Sequence, residues 1–230
     1  MNLDYLSSGQ RLYQSAAKPV VSVVDGDPAT RNALDVLIRS AGWEPRMAAS
    51  AAEFLAQERA ITPSCLLVEL ELPGSSGLEL QKLVADRTDM PIIFMSARAD
   101  IQATVQAMKR GAFEFLVKPL MPEVLLDAIR GALERSEAAL RQLTQMHALQ
   151  ERFESLSRRE REVMGLLVRG RLNKQVGGEL GISEITVKAH RGKMMRKMRA
   201  SSFAELVTMA ASLRGDLRAS MNDFAMPMLS

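Results

Sequence analysis

Between Pro19 and about Lys118, short runs of apolar, mostly β-branched residues alternate with longer stretches of helical periodicity. The runs are PVVSVV, a weaker EPRMA, CLLVEL, PIIFMS and FEFLV, and helical patterns follow them at 28–41, 50–59, 75–87, 100–110 and from 122 onward. Strand–helix units of this length predict a parallel sheet with helices on both faces. Parallel strands need a crossover connection, and nearly continuous apolar strands need cover on both sides. In such a sheet ligand chemistry belongs at the carboxyl ends of the strands. Asp25, Glu69, Ser96 and Lys118 fall at the ends of the first, third, fourth and fifth runs, so four polar groups are expected on one rim.

Beyond Pro122 the helical pattern runs on. Leu126, Leu133 and Leu140 recur seven apart, flanked by Ile129 and Leu143, but Ser136, His147 and Gln150 fall on the seam and degrade it. One helix to about Glu151 is expected, and a plain linker suits the broken heptad better than a short dimerising coil. From 156 to 212 the pattern is all helical. Ser157 and Glu160 have the spacing of a capping box and start a helix that runs to about Gly170. A second helix covers Asn173 to Leu180, Gly181 supplies a left-handed stop, Ser183 caps a third helix from Glu184 to about Arg199, and Ser202 starts a fourth. A short helix, a glycine turn and a longer basic helix make a helix-turn-helix. The expected organisation is an N-terminal extension over 1–18, an α/β domain over 19–137, a linker helix over 138–155, a helix-turn-helix domain over 156–213 and a disordered tail over 214–230.

Charge sharpens this picture. Residues 1–150 hold 15 Lys and Arg against 18 Asp and Glu, a net of −3, whereas 153–214 hold 13 against 6, a net of +7. A basic C-terminal third points to a polyanion, nucleic acid before membrane, because Lys and Arg release counterions when they neutralise phosphates. No apolar stretch of about 18 residues reads as a spanning helix, and residues 1–18 lack the pattern of a signal peptide, so a cytoplasmic protein is expected. The single cysteine, Cys65, sits in an apolar run and reads as a buried small hydrophobe.

In the third helix of the basic segment Val187, Met194 and Met198 share one stripe, with Met195 beside it. Lys188, Arg191, Gly192 and Arg199 are read on the opposite side, at spacings of three, four and seven, and Lys193 belongs to the same basic set. Such a helix suits the major groove of double-stranded DNA, where Lys and Arg reach guanine edges or phosphates and Ala189 meets a thymine methyl group. Lys174 and Thr186 sit near helix starts, where side chains and backbone amides hold phosphate oxygens. The first strand is followed by DGDPAT, which lacks the G-x-G-x-x-G of a dinucleotide-binding enzyme. A DNA-independent interaction module would leave the basic helix idle.

The stretch LSRREREVMGLLVRGRLNKQVGGELGISEITVKAHRGKMMRKM resembles the LuxR-type helix-turn-helix, and residues 19–137, with VVDGDPATR, ELPGSSG, MS and FLVKP, resemble the receiver domain that accompanies it in NarL/FixJ response regulators. The resemblance implies a five-stranded parallel sheet of flavodoxin-like order 2-1-3-4-5 followed by an all-α four-helix domain, in a DNA-binding transcription factor rather than an enzyme. It also implies phosphorylation of an aspartate four residues before the proline of ELPG, with Mg²⁺ on a pair of adjacent acids. Here the acceptor position is Glu69 and the acidic pair is Asp25-Gly26, while Ser96, Phe115 and Lys118 are retained. Glycine offers no ligand oxygen, and glutamate places its carboxylate one methylene too far out. A degenerate pocket without metal or cofactor is therefore expected, in a regulator independent of phosphorylation. The role of Glu69 is left open between two readings: it pairs with Lys118 and hydrogen-bonds Ser96, partly imitating the phosphorylated state and biasing the receiver toward dimerisation, or it sits in an inert receiver held together by packing. A conventional regulator still phosphorylated by a histidine kinase, or a module controlled by another regulatory protein, is the alternative. By resemblance the protein dimerises through roughly Asp100 to Glu137. Gly177, Gly178 and Gly192 each cost the helical domain about 1 kcal/mol relative to alanine and are expected to soften it.

Overall fold

The computed structural model describes the backbone of residues 18–98 and 100–223, with side chains as far as Leu213. The extension expected over 1–18 therefore lies outside the described residues except for Lys18. Two compact units divide the chain, Met1–Gln142 and Leu143–Ser230, so the boundary falls inside the segment read as a linker. Among the described residues no helix is long and apolar enough to cross a membrane.

In the first unit β1 (Val20–Val24), α1 (Pro28–Ser40), β2 (Glu44–Ala48), α2 (Ala51–Ala56) and β3 (Ser64–Glu69) are followed by a miniature hairpin, β4 (Glu71–Leu72) with β5 (Ser75–Ser76). Then come α3 (Gly77–Leu83), β6 (Ile92–Ser96), α4 (Ile101–Lys109), β7 (Glu114–Val117) and α5 (Pro122–Glu154). The large sheet is parallel with order β2-β1-β3-β6-β7, which is 2-1-3-4-5 once the hairpin is set aside.

Alternation along the central strands sorts their side chains. Val21, Val23, Cys65, Leu67, Ile93 and Met95 face a core closed by α1 and α5, whereas Val24, Leu66, Val68, Ile92 and Phe94 face one closed by α2, α3 and α4. Burying each large member stabilises the fold by about 1.5–3 kcal/mol. Asp27 caps α1, accepting from the Ala29 and Thr30 amides at 3.1 Å each, with Pro28 in the first turn where its missing N–H costs nothing. Ser136 has a structural task rather than a coiled-coil one. It is fully buried on α5, where its hydroxyl accepts from the Ser64 amide at 2.8 Å and donates to the Asp89 carbonyl at 2.5 Å, fixing the helix to the amino-terminal edge of the sheet.

The second unit takes the last turns of α5 together with α6 (Arg158–Leu167), α7 (Asn173–Leu180), α8 (Glu184–Met198) and α9 (Phe203–Asp223). Leu149 and Phe153 pack against its core of Leu156, Val163, Met164, Leu167, Val176, Val187, Met194, Met198 and Leu206. Gly181 ends α7 at φ 65°, the left-handed stop expected of it. Gly177 corrects the expectation of a merely softened helix: a Cβ there would meet the Ile182 carbonyl oxygen at 2.7 Å, so only glycine lets the turn close on α7. Gly178, by contrast, has open space around it. The segment expected as a disordered tail begins inside α9. The backbone stays helical to Asp223, because one glycine among Leu, Arg and Ala costs about 1 kcal/mol and does not end a helix. Residues 224–230 lie outside the described ones.

Candidate functional site

Parallel register brings the strand ends together on one rim, with Val24 beside Val68, Glu69 beside Met95 and Ser96 beside Val117. Asp25, Glu69 and Ser96 are all buried, at 2%, 8% and 2% exposure. Lys118 Nζ donates to Asp25 Oδ2 at 2.8 Å and forms an ion pair with Glu69 Oε2. The other Asp25 oxygen accepts from the Asp27 amide at 2.8 Å, and Glu69 Oε1 accepts from the Leu70 amide at 3.2 Å. Burial alone would lower the Lys118 pKa, but the hydrogen bonds and charges of Asp25 and Glu69 outweigh it and hold the ammonium above the usual lysine range. Phe115 stacks on Phe94 with ring centroids 6.1 Å apart.

The expected hydrogen bond from Ser96 to Glu69 does not form. Ser96 Oγ accepts instead from the Arg98 amide at 3.2 Å, a local contact at the start of the following loop. Gly26 is closed over by the miniature hairpin, whose Pro73-Gly74 tip, with Gly74 at φ 75°, has the residues of a type II turn. A Cβ at Gly26 would stand 2.9 Å from Pro73 Cγ and 3.0 Å from Cδ, so the ring fills the space through which a side chain would leave. Among the described residues no three His, Cys, Asp or Glu side chains converge as a metal site would require.

On the second unit, Ser157 and Glu160 form the capping box, and Glu160 Oε2 also takes Lys197 Nζ at 2.7 Å. The Lys197 hydrogen bond, with the Ser157 contacts, holds the buried Glu160 carboxyl below the usual range. The first helix is thereby tied to the last turn of α8, a contact the sequence did not reveal. On α8, Val187, Met194 and Met198 are buried, and Lys188, Ala189, Gly192 and Lys193 are exposed. Lys188 pairs with Glu184, four residues earlier, at 3.1 Å. Arg191 was read opposite the buried stripe, but its guanidinium lies over the Phe203 ring, 5.2 Å from the centroid, so it packs beside that stripe on α9. Thr186 shares a hydrogen bond of 2.8 Å with the Ser183 hydroxyl in the cap of α8, and Lys174 is exposed in the first turn of α7.

Two domain families match the chain: the response regulator receiver domain over residues 21–130 and the bacterial regulatory proteins of the luxR family over 154–210. Nodulation protein W of Bradyrhizobium diazoefficiens is 43% identical over 201 residues, covering 87% of this chain and 88% of its own. The transcriptional regulatory protein FixJ of Azorhizobium caulinodans is 40% identical, covering 83% and 90%. The chain is a response regulator of the NarL/FixJ family. The solved structure of response regulator StyR, 42% identical, superposes with a TM-score of 0.76 over 85% of this chain and 99% of that one. This regulator is accordingly a DNA-binding transcription factor of the two-component type. Its receiver gathers Asp25, Glu69, Ser96 and Lys118 on one rim, with Gly26 beneath Pro73. The exposed cations Lys174, Lys188 and Lys193 lie in its luxR-type domain.

Proposed function

We propose that this regulator acts on DNA without phosphoryl transfer to its receiver. The observation that carries this reading is a cation already in place: Lys118 answers both remaining rim carboxylates from within. The family implies Mg²⁺ here, and the residues fit it poorly. An octahedral ion needs oxygen ligands at about 2.0–2.1 Å. Position 26 offers none, Pro73 covers it, and Asp25 and Glu69 are engaged by Lys118. Of the two contacts expected of a phosphate-mimicking Glu69, the one to Lys118 forms and the one to Ser96 does not, which favours an inert pocket over a permanently switched one. Retention of Asp25, Ser96 and Lys118 supports the competing reading, a regulator still phosphorylated by a kinase.

Millimolar Mg²⁺ should leave the melting temperature of the wild-type chain unchanged, and acetyl phosphate should leave it unlabelled with its DNA affinity unaltered. Gly26→Asp with Glu69→Asp should restore Mg²⁺-dependent stabilisation, and do so fully only when Pro73→Ala makes room. Stoichiometric phosphorylation of the wild type at any rim residue would overturn the reading.

One luxR-type domain contacts a single half-site, so the regulator binds as a dimer on half-sites about one helical turn apart. Its pairing surface is the face of α4, β7 and the start of α5. Exposed Ile101, Val105 and Met108 recur there at spacings of four and three, with Val117, Met121 and Val124 also exposed. Ile101→Asp with Val105→Asp should shift the protein to monomer in sedimentation experiments. An unchanged dimer would reject this surface.

A further inference from the structure

We propose that Ile185 reads the C5-methyl group of a thymine, which makes the first turn of α8 a determinant of operator sequence alongside its lysines. The proposal rests on α8 being the helix that enters the major groove. Ile185 is 80% exposed, more than any other large apolar side chain among the described residues. It takes no part in the core of its unit, and a β-branched residue brings no helix propensity to an exposed position.

Its place on the helix gives it meaning. At about 100° per residue, Ile185, Ala189, Gly192 and Arg196 follow one another at spacings of four, three and four along the line opposite the buried Val187, Met194 and Met198. Over the first two turns this outward midline carries no side chain able to hydrogen-bond. Lys188 and Lys193 flank it, and Arg196 continues it. A single apolar side chain among cations is far too small to anchor a protein, whose interface buries about 800 Å² on each partner. The basic surroundings instead complement a polyanion. Within the major groove of that polyanion, the thymine methyl is the apolar group that a base edge presents. Ala189 is one turn further along but too short to reach as deep, so Ile185 makes the longer contact.

The test uses the full chain. A binding site is first selected from random duplexes, and each thymine of the half-site is then replaced in turn by deoxyuridine, which lacks only the methyl group. Wild type should lose about fourfold in affinity at one such position, the fold-change of one buried methyl-sized group. Ile185→Ala should bind the thymine and uracil duplexes equally at that position, while Ile185→Val should retain most of the difference. If no half-site thymine is selected, or if wild type and Ile185→Ala respond alike to every replacement, the proposal fails while DNA binding by α8 stands. If the full chain prefers no selected duplex over bulk DNA, the groove-facing assignment fails first and takes the proposal with it.

Discussion

The receiver rim and the basic helix α8 both gather charge, and they treat it in opposite ways. At the rim one ammonium sits between two buried carboxylates, so the charges are answered inside the molecule. On α8 and at the start of α7, Lys174, Lys193 and Arg196 face solvent without an ion pair among the described residues, and Lys188 has only an exposed glutamate of its own helix. Charge satisfied within a fold has little to offer an external ion, whereas unanswered charge on a convex surface is what a polyanion neutralises. Residues 19–137 carry an acidic excess, 12 Lys and Arg against 17 Asp and Glu, and the C-terminal third a basic one, but the partnering of each group, more than the total, separates a closed pocket from an open surface.

Removing the central cation should break this contrast most strongly. Lys118→Met strands Asp25 and Glu69 in a buried site and should destabilise the first unit by about 3–5 kcal/mol in urea. Lys193→Met, the matched change on the open surface, should stay within about 0.5 kcal/mol. Equal losses would mean that the rim ion pairs are no more than surface contacts. On DNA the ranking inverts. Lys188→Ala should cost about 1–3 kcal/mol on the selected operator and relax its sequence at one position, while Lys174→Ala should weaken all sequences and lower the salt slope by about 1. Binding unchanged in both variants would remove α8 from the groove.

Acid and alkali should separate the two units from opposite sides. The folded Lys118 pKa is raised, so its contribution is complete below the ordinary lysine pKa of about 10.4 and is lost as pH rises through the folded value. Glu160 is lowered, so its contribution is complete above the ordinary glutamate pKa of about 4.3 and is lost as pH falls through the folded value. Glu160→Gln keeps the capping geometry and gives up the Lys197 ion pair, which should cost the second unit about 0.5–1 kcal/mol at neutral pH and flatten its acid limb. Domain-resolved hydrogen exchange across the pH range would read both. The smallest effect belongs to Glu184→Gln. Freeing Lys188 from a pair worth about 0.3–0.5 kcal/mol should raise affinity for all duplexes roughly twofold.

Much of this was legible in the chain itself, and the rest fails for identifiable reasons. Alternating strands and helices place Asp25, Glu69, Ser96 and Lys118 at strand ends, and parallel pairing brings them together without any knowledge of side-chain contacts. Pro73-Gly74 announces a turn, but that its ring would cover Gly26 depends on how the hairpin folds back, which no local signal encodes. Ser96 accepts from the Arg98 amide two residues on, a local contact at the start of the following loop that the placement of strand ends does not announce. Arg191 was misplaced against its own spacing: four residues after Val187 and three before Met194, it points close to the buried stripe, and there α9 brings Phe203 beneath its guanidinium. The Glu160–Lys197 pair joins residues 37 apart in sequence and has no periodic trace, whereas the Glu184–Lys188 pair has the four-residue spacing that announces itself.

The two neighbouring glycines of α7 have opposite latitude for change. Gly178 has room for a methyl group, so alanine there should raise the thermal tolerance of the domain by about 1 kcal/mol and pass unnoticed by function. Gly177 has none, because the Ile182 carbonyl stands where the methyl would go. A mutational survey scored by promoter output would therefore rank Gly177 among the residues essential for operator binding although it touches no base. Only a parallel readout of folded protein would assign that loss to the turn, and one amino acid type repeated at adjacent codons would drift freely at one and stand still at the other.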